Sequence, residues 1–185
     1  MLAYVFWHWR RPTAAAADYE AAHRRFHDAL GDAPPPGFIR SFSVAFEGAP
    51  WAANRGEAYE DWYLVDGSAA LDPLNAAAIS ASRQAPHDAA ASLAAGGTAG
   101  LYSLRQGEPM TAPAVLSWFA KPDNLTYRDL FAMLEPITGR AGGALWCRQM
   151  TLGPALEFCL HSREPVALPP PVAPFTIRCR AVWPG

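Results

Sequence analysis

The sequence predicts an α+β fold of two β-α-β-β-α-β units, the second shortened, and three observations carry that prediction. The first is an internal repeat. AYVFWHWRRP at 3–12 and APAVLSWFAKP at 112–122 are strand-like apolar runs, each closed by a base and a proline. GFIRSFSVAFEG (37–48) then answers to GALWCRQMTLGP (143–154), and AYEDWYLV (58–65) to ALEFCLHS (155–162). A two-fold repeat of this size means one fold built from two supersecondary units. The second observation is period-two alternation inside those runs. The third is a set of helix-spaced stretches between them.

Residues 3–10 alternate, with Tyr4, Phe6 and His8 on one face and Val5, Trp7 and Trp9 on the other. Large rings on both faces mark a central strand covered on both sides. Pro12 and Thr13 open a helix, with Thr13 as its N-cap. Tyr19, His23, Phe26 and Leu30 form its buried stripe. Gly31 and the Pro34–Gly37 run end it. Phe38–Phe46 is the second strand, with Arg40 and Phe42 on one face and Ser41 and Ser43 on the other. A loop over 47–57 holds Trp51 and Asn54, and Tyr59–Val65 is the third strand. Residues 69–95 read as an alanine-rich helix broken near Pro86 and stopped by Gly96-Gly97. Leu101–Arg105 is the fourth strand.

The second unit starts with a strand at Val115–Ala120. A helix capped by Asp123 or Thr126 follows, running to about Ile137 and shortened by Pro136. A hairpin pairs 144–151 with 155–160. Residues 163–174, REPVALPPPVAP, hold five prolines and cannot form a helix interior. Phe175–Val182 is the last strand. The units divide as 1–110 and 111–185. Each leaves one bare apolar sheet face, and packing the two together gives a single barrel-like core.

Composition narrows the function. The chain has 185 residues, is 51% apolar and carries a formal net charge of −2, so no nucleic-acid partner is implied. Cys147, Cys159 and Cys179 have no paired spacing, the pattern of buried thiols in a reducing compartment. No signal peptide and no apolar run of membrane length is present, which predicts a cytoplasmic protein without a membrane partner. No P-loop, Gly-x-Ser-x-Gly element or zinc motif is found, and GGTAG at 96–100 lacks the Lys-Ser/Thr step of a phosphate loop.

Arg11-Pro12, Tyr19, His27-Asp28-Ala29-Leu30 and Pro36-Gly37 resemble a family pattern: a strand ending in a base and proline, then a helix with an early aromatic and a late His-x-x-Leu, then Pro-Gly. The chain thus resembles the dimeric α/β-barrel superfamily of ferredoxin-like units, and EthD-type proteins above all. The likeness covers the first 50 residues or so; beyond them it is one of element order. It implies a single-chain pseudo-dimer with a cleft between each sheet and its helices. It also implies proton abstraction or oxygenation of an aromatic or polyketide-like compound without a cofactor.

The candidate base is His8 or His27. Tyr4, Phe6, Arg40, Phe42, Trp51 and Tyr63 are the candidate ligand contacts, Arg40 orienting an anion. Each has a plainer role: a packed histidine, core rings, or a helix-end histidine favoured by the macrodipole. Trp118 stands where His8 does in the other copy. His23 and His27, four apart, share a helix face and could hold a metal, but no acidic third ligand is evident, so no metal is expected. Arg10 and Arg40 require an anion, and Glu60 and Asp61 supply it. His161 ends a strand and is expected to be exposed. Two other functions compete: a non-catalytic interaction protein whose barrel is filled by its own rings, and haem binding through His8 or His27. A small apolar or aromatic ligand and a homodimer are the expected partners.

Overall fold

The computed structural model describes residues 1–52 and 56–184. Residues 53–55 of the first long loop, Asn54 among them, lie outside the described residues. The order is β1 (Leu2–Arg10), α1 (Ala16–Asp32), β2 (Phe38–Phe46), β3 (Ala58–Val65), α2 (Leu71–Ala78), α3 (Gln84–Leu93), β4 (Ala94–Gly107), β5 (Val115–Phe119), α4 (Tyr127–Ala141), β6 (Ala144–Arg148), β7 (Phe158–Ser162), β8 (Phe175–Arg178) and β9 (Arg180–Trp183).

The strands form one antiparallel sheet in the order β8-β5-β7-β6-β4-β1-β3-β2-β9. Counted within each half, both halves run 4-1-3-2. One residue, Cys179, separates β8 at one edge from β9 at the other. Two edges joined by a single residue must lie side by side, so the sheet curls into a nearly closed barrel. The Cys179 amide donates to the Ala114 carbonyl at 2.8 Å at this seam. Closure removes the edge strands that a four-stranded half would otherwise expose.

Alternation decides what fills the barrel. Val5 and Trp7 of β1, Phe42 and Val44 of β2, Trp62 and Leu64 of β3, Trp118 of β5 and Trp146 of β6 all point inward and are fully buried. Trp62 packs 5.2 Å from Trp146 and 6.4 Å from Trp118, ring centre to ring centre. Trp51, in the loop after β2, packs on the same core, 5.1 Å from Trp118. Glu60 also points inward, where it accepts from the indole N–H groups of Trp7 and Trp62. Burial pushes its carboxyl up to about 8 against those two hydrogen bonds.

The outer faces differ. In the second half, α4 and the proline-rich segment pack Leu130, Leu134 and Val172 onto Phe119, Leu145, Phe158 and Leu160. No helix forms over 163–174, as its prolines require. In the first half, α1, α2 and α3 cover the sheet.

Several local expectations are corrected. α1 starts at Ala16 behind Ala15, and Thr13 lies in the preceding turn rather than at the cap. The alanine-rich stretch breaks at 79–83, not at Pro86, which sits in the first turn of α3, where its missing N–H costs nothing. α4 runs through Pro136 and ends at Gly142, whose φ of 55° is left-handed. Thr126 is its N-cap, accepting from the Asp129 amide. The last strand divides at the seam. Trp118 does not take the place of His8; it faces the barrel interior 5.9 Å from Trp7, so the copies are offset by one residue in facing.

β4 begins at Ala94, so Gly96-Gly97 do not stop a helix but pair with Trp9 and His8 of β1. A Cβ at Gly97 would lie 2.4 Å from the Phe6 ring and 2.8 Å from the Trp7 carbonyl oxygen. The glycine lets a flat ring lie across the neighbouring strand. Gly97→Ala is expected to destabilise the fold by about 1–3 kcal/mol, the usual cost of overpacking. Urea denaturation at neutral pH checks it; an unchanged midpoint would contradict the close approach.

Candidate functional site

The outward face of β1 presents Tyr4, Phe6 and His8, and that of β3 presents Tyr59, Asp61 and Tyr63. Register sets Phe6 opposite Asp61 and His8 opposite Tyr59. α1 crosses above them and lowers His23 and His27, one turn apart, onto the same spot. The result is a buried cluster with one carboxylate oxygen at its centre. Asp61 Oδ2 lies 3.2 Å from His8 Nε2, 3.6 Å from His23 Nδ1 and 3.4 Å from His27 Nε2. Tyr63 donates its hydroxyl to the same oxygen at 2.9 Å.

The far sides of two rings are held. His8 Nδ1 meets the Tyr19 hydroxyl at 2.7 Å, and His27 Nδ1 meets Ser41 Oγ at 2.8 Å. His8 stacks on His23 at 4.3 Å, while His27 stacks on Trp183 of β9 at 5.2 Å. Trp183 is fixed in turn by donating to Asp28 at 2.7 Å. His23 has no hydrogen bond to protein at either ring nitrogen. The facing nitrogens of His8 and His27 approach Asp61 without hydrogen-bond geometry.

Electrostatics follow from this packing. Burial pushes the Asp61 carboxyl up, but His8 and His27 outweigh it and hold the group well below the usual carboxylate range. Burial pushes His8 down, with Asp61 pulling the other way. Burial and then the Asp61 charge raise the Tyr63 phenol well above its ordinary value. The site therefore holds a fixed anion in a dry setting, where its field is strong.

Beside the cluster lies a cleft of about 720 Å³ between the sheet and the three helices. Tyr4, Phe6, Asp61 and Tyr63 floor it, Tyr19, His23 and Phe26 line the α1 side, and residues of α2 and α3 close it. That volume is in the range of small-molecule sites.

Placement of the predicted residues is mixed. Tyr4, Phe6 and Tyr63 line the cleft, and His8 and His27 lie fully buried in the cluster at its end. Phe42 and Trp51 belong to the barrel interior, on the other side of the sheet. Arg40 donates to the Pro109 carbonyl, and Arg10 to the Ala14 carbonyl at 2.8 Å. Neither arginine pairs with Glu60 or Asp61; each donates to a backbone carbonyl instead, leaving Asp61 to the histidines. His161 is fully buried between Trp62, Trp146 and Phe42, not exposed. Sequence reasoning gave Asp61 only an ion-pair role and set His23 aside with the metal pair it forms with His27. The available signal was facing: Asp61 and Tyr63 alternate away from Glu60 and Trp62, and His23 shares a helix face with His27.

No protein-family model and no curated protein matches the chain. Among solved structures it is similar to the "Putative monooxygenase" of Fusobacterium nucleatum subsp. nucleatum, with a TM-score of 0.68 and 8% identity over 98% of this chain and 92% of that one. The likeness is one of fold. Both chains build the α/β-barrel type of architecture. An "anthrone oxidase-like protein" aligns at a TM-score of 0.46 and 8% identity, over 98% of this chain and 93% of that one. No helix among the described residues is long and apolar enough to cross a membrane.

Proposed function

We propose that the protein binds a flat apolar or aromatic small molecule in the first-half cleft and removes a proton from it. The observation that supports this most is His23: it lines a ring-floored cleft, abuts a buried ionised carboxylate, and has no hydrogen bond to protein at either nitrogen. A phenolic or enolic O–H, or an acidic C–H beside a carbonyl, would give its proton to His23 Nε2. The electron pair stays on the ligand, and the new imidazolium is paired with Asp61. A positioned base of this kind contributes about 10²–10⁴-fold to a rate. His8 and His27, each held on its far side by a hydroxyl and set back from the cleft wall, position Asp61 instead of meeting the ligand. The name of the solved neighbour at a TM-score of 0.68, "Putative monooxygenase", accords with chemistry on a small organic compound. The matching strand order of the two halves supports descent from a duplicated unit, with residues 111–185 serving as a built-in partner.

Titration of EDTA-treated protein with 4-nitrophenol and 2-naphthol tests the reading. Wild type is expected to bind and to enrich the phenolate band. His23→Gln should keep binding and lose that enrichment, and Ala91→Trp, which fills the cleft from α3, should abolish binding. Failure of wild type to bind either phenol, or equal binding by the Ala91→Trp variant, overturns it.

A further inference from the structure

We propose that His8, His23 and Asp61 form a binding site for one divalent first-row transition-metal ion. The metal's meeting with a ligand rests on the cleft reading above; its binding does not. The sequence argued against a metal because the His23/His27 pair lacked an acidic partner. β3 supplies one: a donor atom from each of His8, His23 and Asp61 falls within 4.8 Å of the others, and all three residues are buried.

Three features go beyond proximity. First, the separations fit. Metal–nitrogen and metal–oxygen bonds of about 2.0–2.2 Å set ligand atoms about 3.3–3.6 Å apart around a tetrahedral ion. His8 Nε2 and His23 Nδ1 lie 3.2 Å and 3.6 Å from Asp61 Oδ2. Second, the facing atoms lack other partners. His8 Nε2 and His23 Nδ1 face Asp61 Oδ2 and are buried without a hydrogen bond. Buried polar atoms are ordinarily satisfied, and two orphans converging on one point call for an ion. Third, the outer partner suits metal-bound imidazole. Tyr19 meets His8 Nδ1, fixing that ring by its far nitrogen and leaving Nε2 to the centre.

Imidazole and carboxylate donors without a thiolate select Zn²⁺, Fe²⁺, Co²⁺ or Ni²⁺ over Ca²⁺ or Mg²⁺. Asp61 and His23 line the cleft, so the open coordination positions face the ligand space. A deprotonated ligand oxygen would then bind the ion, and charge stabilisation would pass from the His23 imidazolium to the metal. Loaded and metal-free protein are thus two forms of one site.

The test is titration of EDTA-stripped, full-length protein with Co²⁺, followed by visible d–d absorption and by metal analysis after gel filtration. Wild type is expected to hold a single ion per chain with a low-symmetry spectrum. His8→Gln and His23→Gln should each abolish the band while far-UV circular dichroism stays native. Tyr19→Phe, which removes only the outer partner, should weaken binding by about 10–100-fold. The proposal falls if wild type takes up no Co²⁺, or if both histidine variants bind as wild type does. Phenol binding by the stripped protein separates the two readings. Binding without metal uptake leaves the cleft and removes the ion; metal uptake without phenol binding does the reverse.

Discussion

Asp61→Ala is expected to lose about 3–5 kcal/mol of folding stability at neutral pH, the usual penalty for breaking a buried charge network from one side. The carboxylate is the common partner of His8, His23, His27 and the Tyr63 hydroxyl. Its removal leaves four polar groups without their common partner. Asp61→Asn keeps the volume and loses the charge, so the two variants separate cavity from electrostatics. The pH response has a definite sign. Asp61 is held below its unfolded value of 3.8. Its stabilisation is therefore fully present above that value and is lost only as pH falls through the lower, folded value. The gap between wild type and Asp61→Asn should widen as pH falls from 7 to about 4, because His8 loses the carboxylate that opposes its burial, and should close in stronger acid. Urea unfolding across that range measures it. A gap below about 1 kcal/mol at pH 7 would mean that the cluster contributes nothing net.

The same residue shows how far one sequence can be read. Strand identity and facing were legible, because alternation is local: Tyr4, Phe6 and His8 do share a face, and β2 and β3 stand within a residue of where the pattern puts them. The cleft between sheet and helices came from family likeness, not from spacing. Register was not legible. Asp61 becomes the hub because β1 and β3 pair with Phe6 opposite it and because α1 crosses at His23 and His27. The first fact joins residues 55 apart in sequence and the second joins residues 34 and 38 apart. Without register, the nearest bases by type were Arg10 and Arg40, which the fold instead ties to backbone carbonyls.

Glycine misled for a related reason. Gly96 and Gly97 read as a helix stop by propensity, yet they lie inside a 14-residue strand. Their lack of a side chain serves the Phe6 and Trp9 rings of the neighbouring strand. A residue whose purpose is to make room for a distant partner gives no local signal of that partner. The inward face of the barrel hid more. Glu60 and His161, which look solvent-facing by type, are enclosed by tryptophans.

His161 gives the second large effect. Neither ring nitrogen has a hydrogen-bond partner, and burial alone pushes the ring down to about 3. The folded protein thus keeps it neutral, while the unfolded chain protonates it near 6.5. Because the unfolded state binds the proton, stability is greatest above pH 6.5 and falls as pH drops toward 3. A separation of this size amounts to up to about 5 kcal/mol over the whole interval, and to roughly 2–3 kcal/mol at pH 4.5. That is a large share of the ~5–15 kcal/mol that holds a domain folded. His161→Phe keeps an aromatic ring against Trp62 and Trp146 and removes both orphaned nitrogens, a change that is nearly neutral or stabilising at pH 7. Its stability should then fall less steeply than wild type between pH 6.5 and 4, by up to one proton per molecule. His8, also pushed down by burial, titrates in both proteins, so the difference isolates the barrel histidine. Parallel curves for wild type and variant would show that His161 is hydrated or paired when the barrel is folded. A converging pair at pH 7 that separates in acid would show that one unpartnered ring inside the tryptophan core sets the acid limit of the fold.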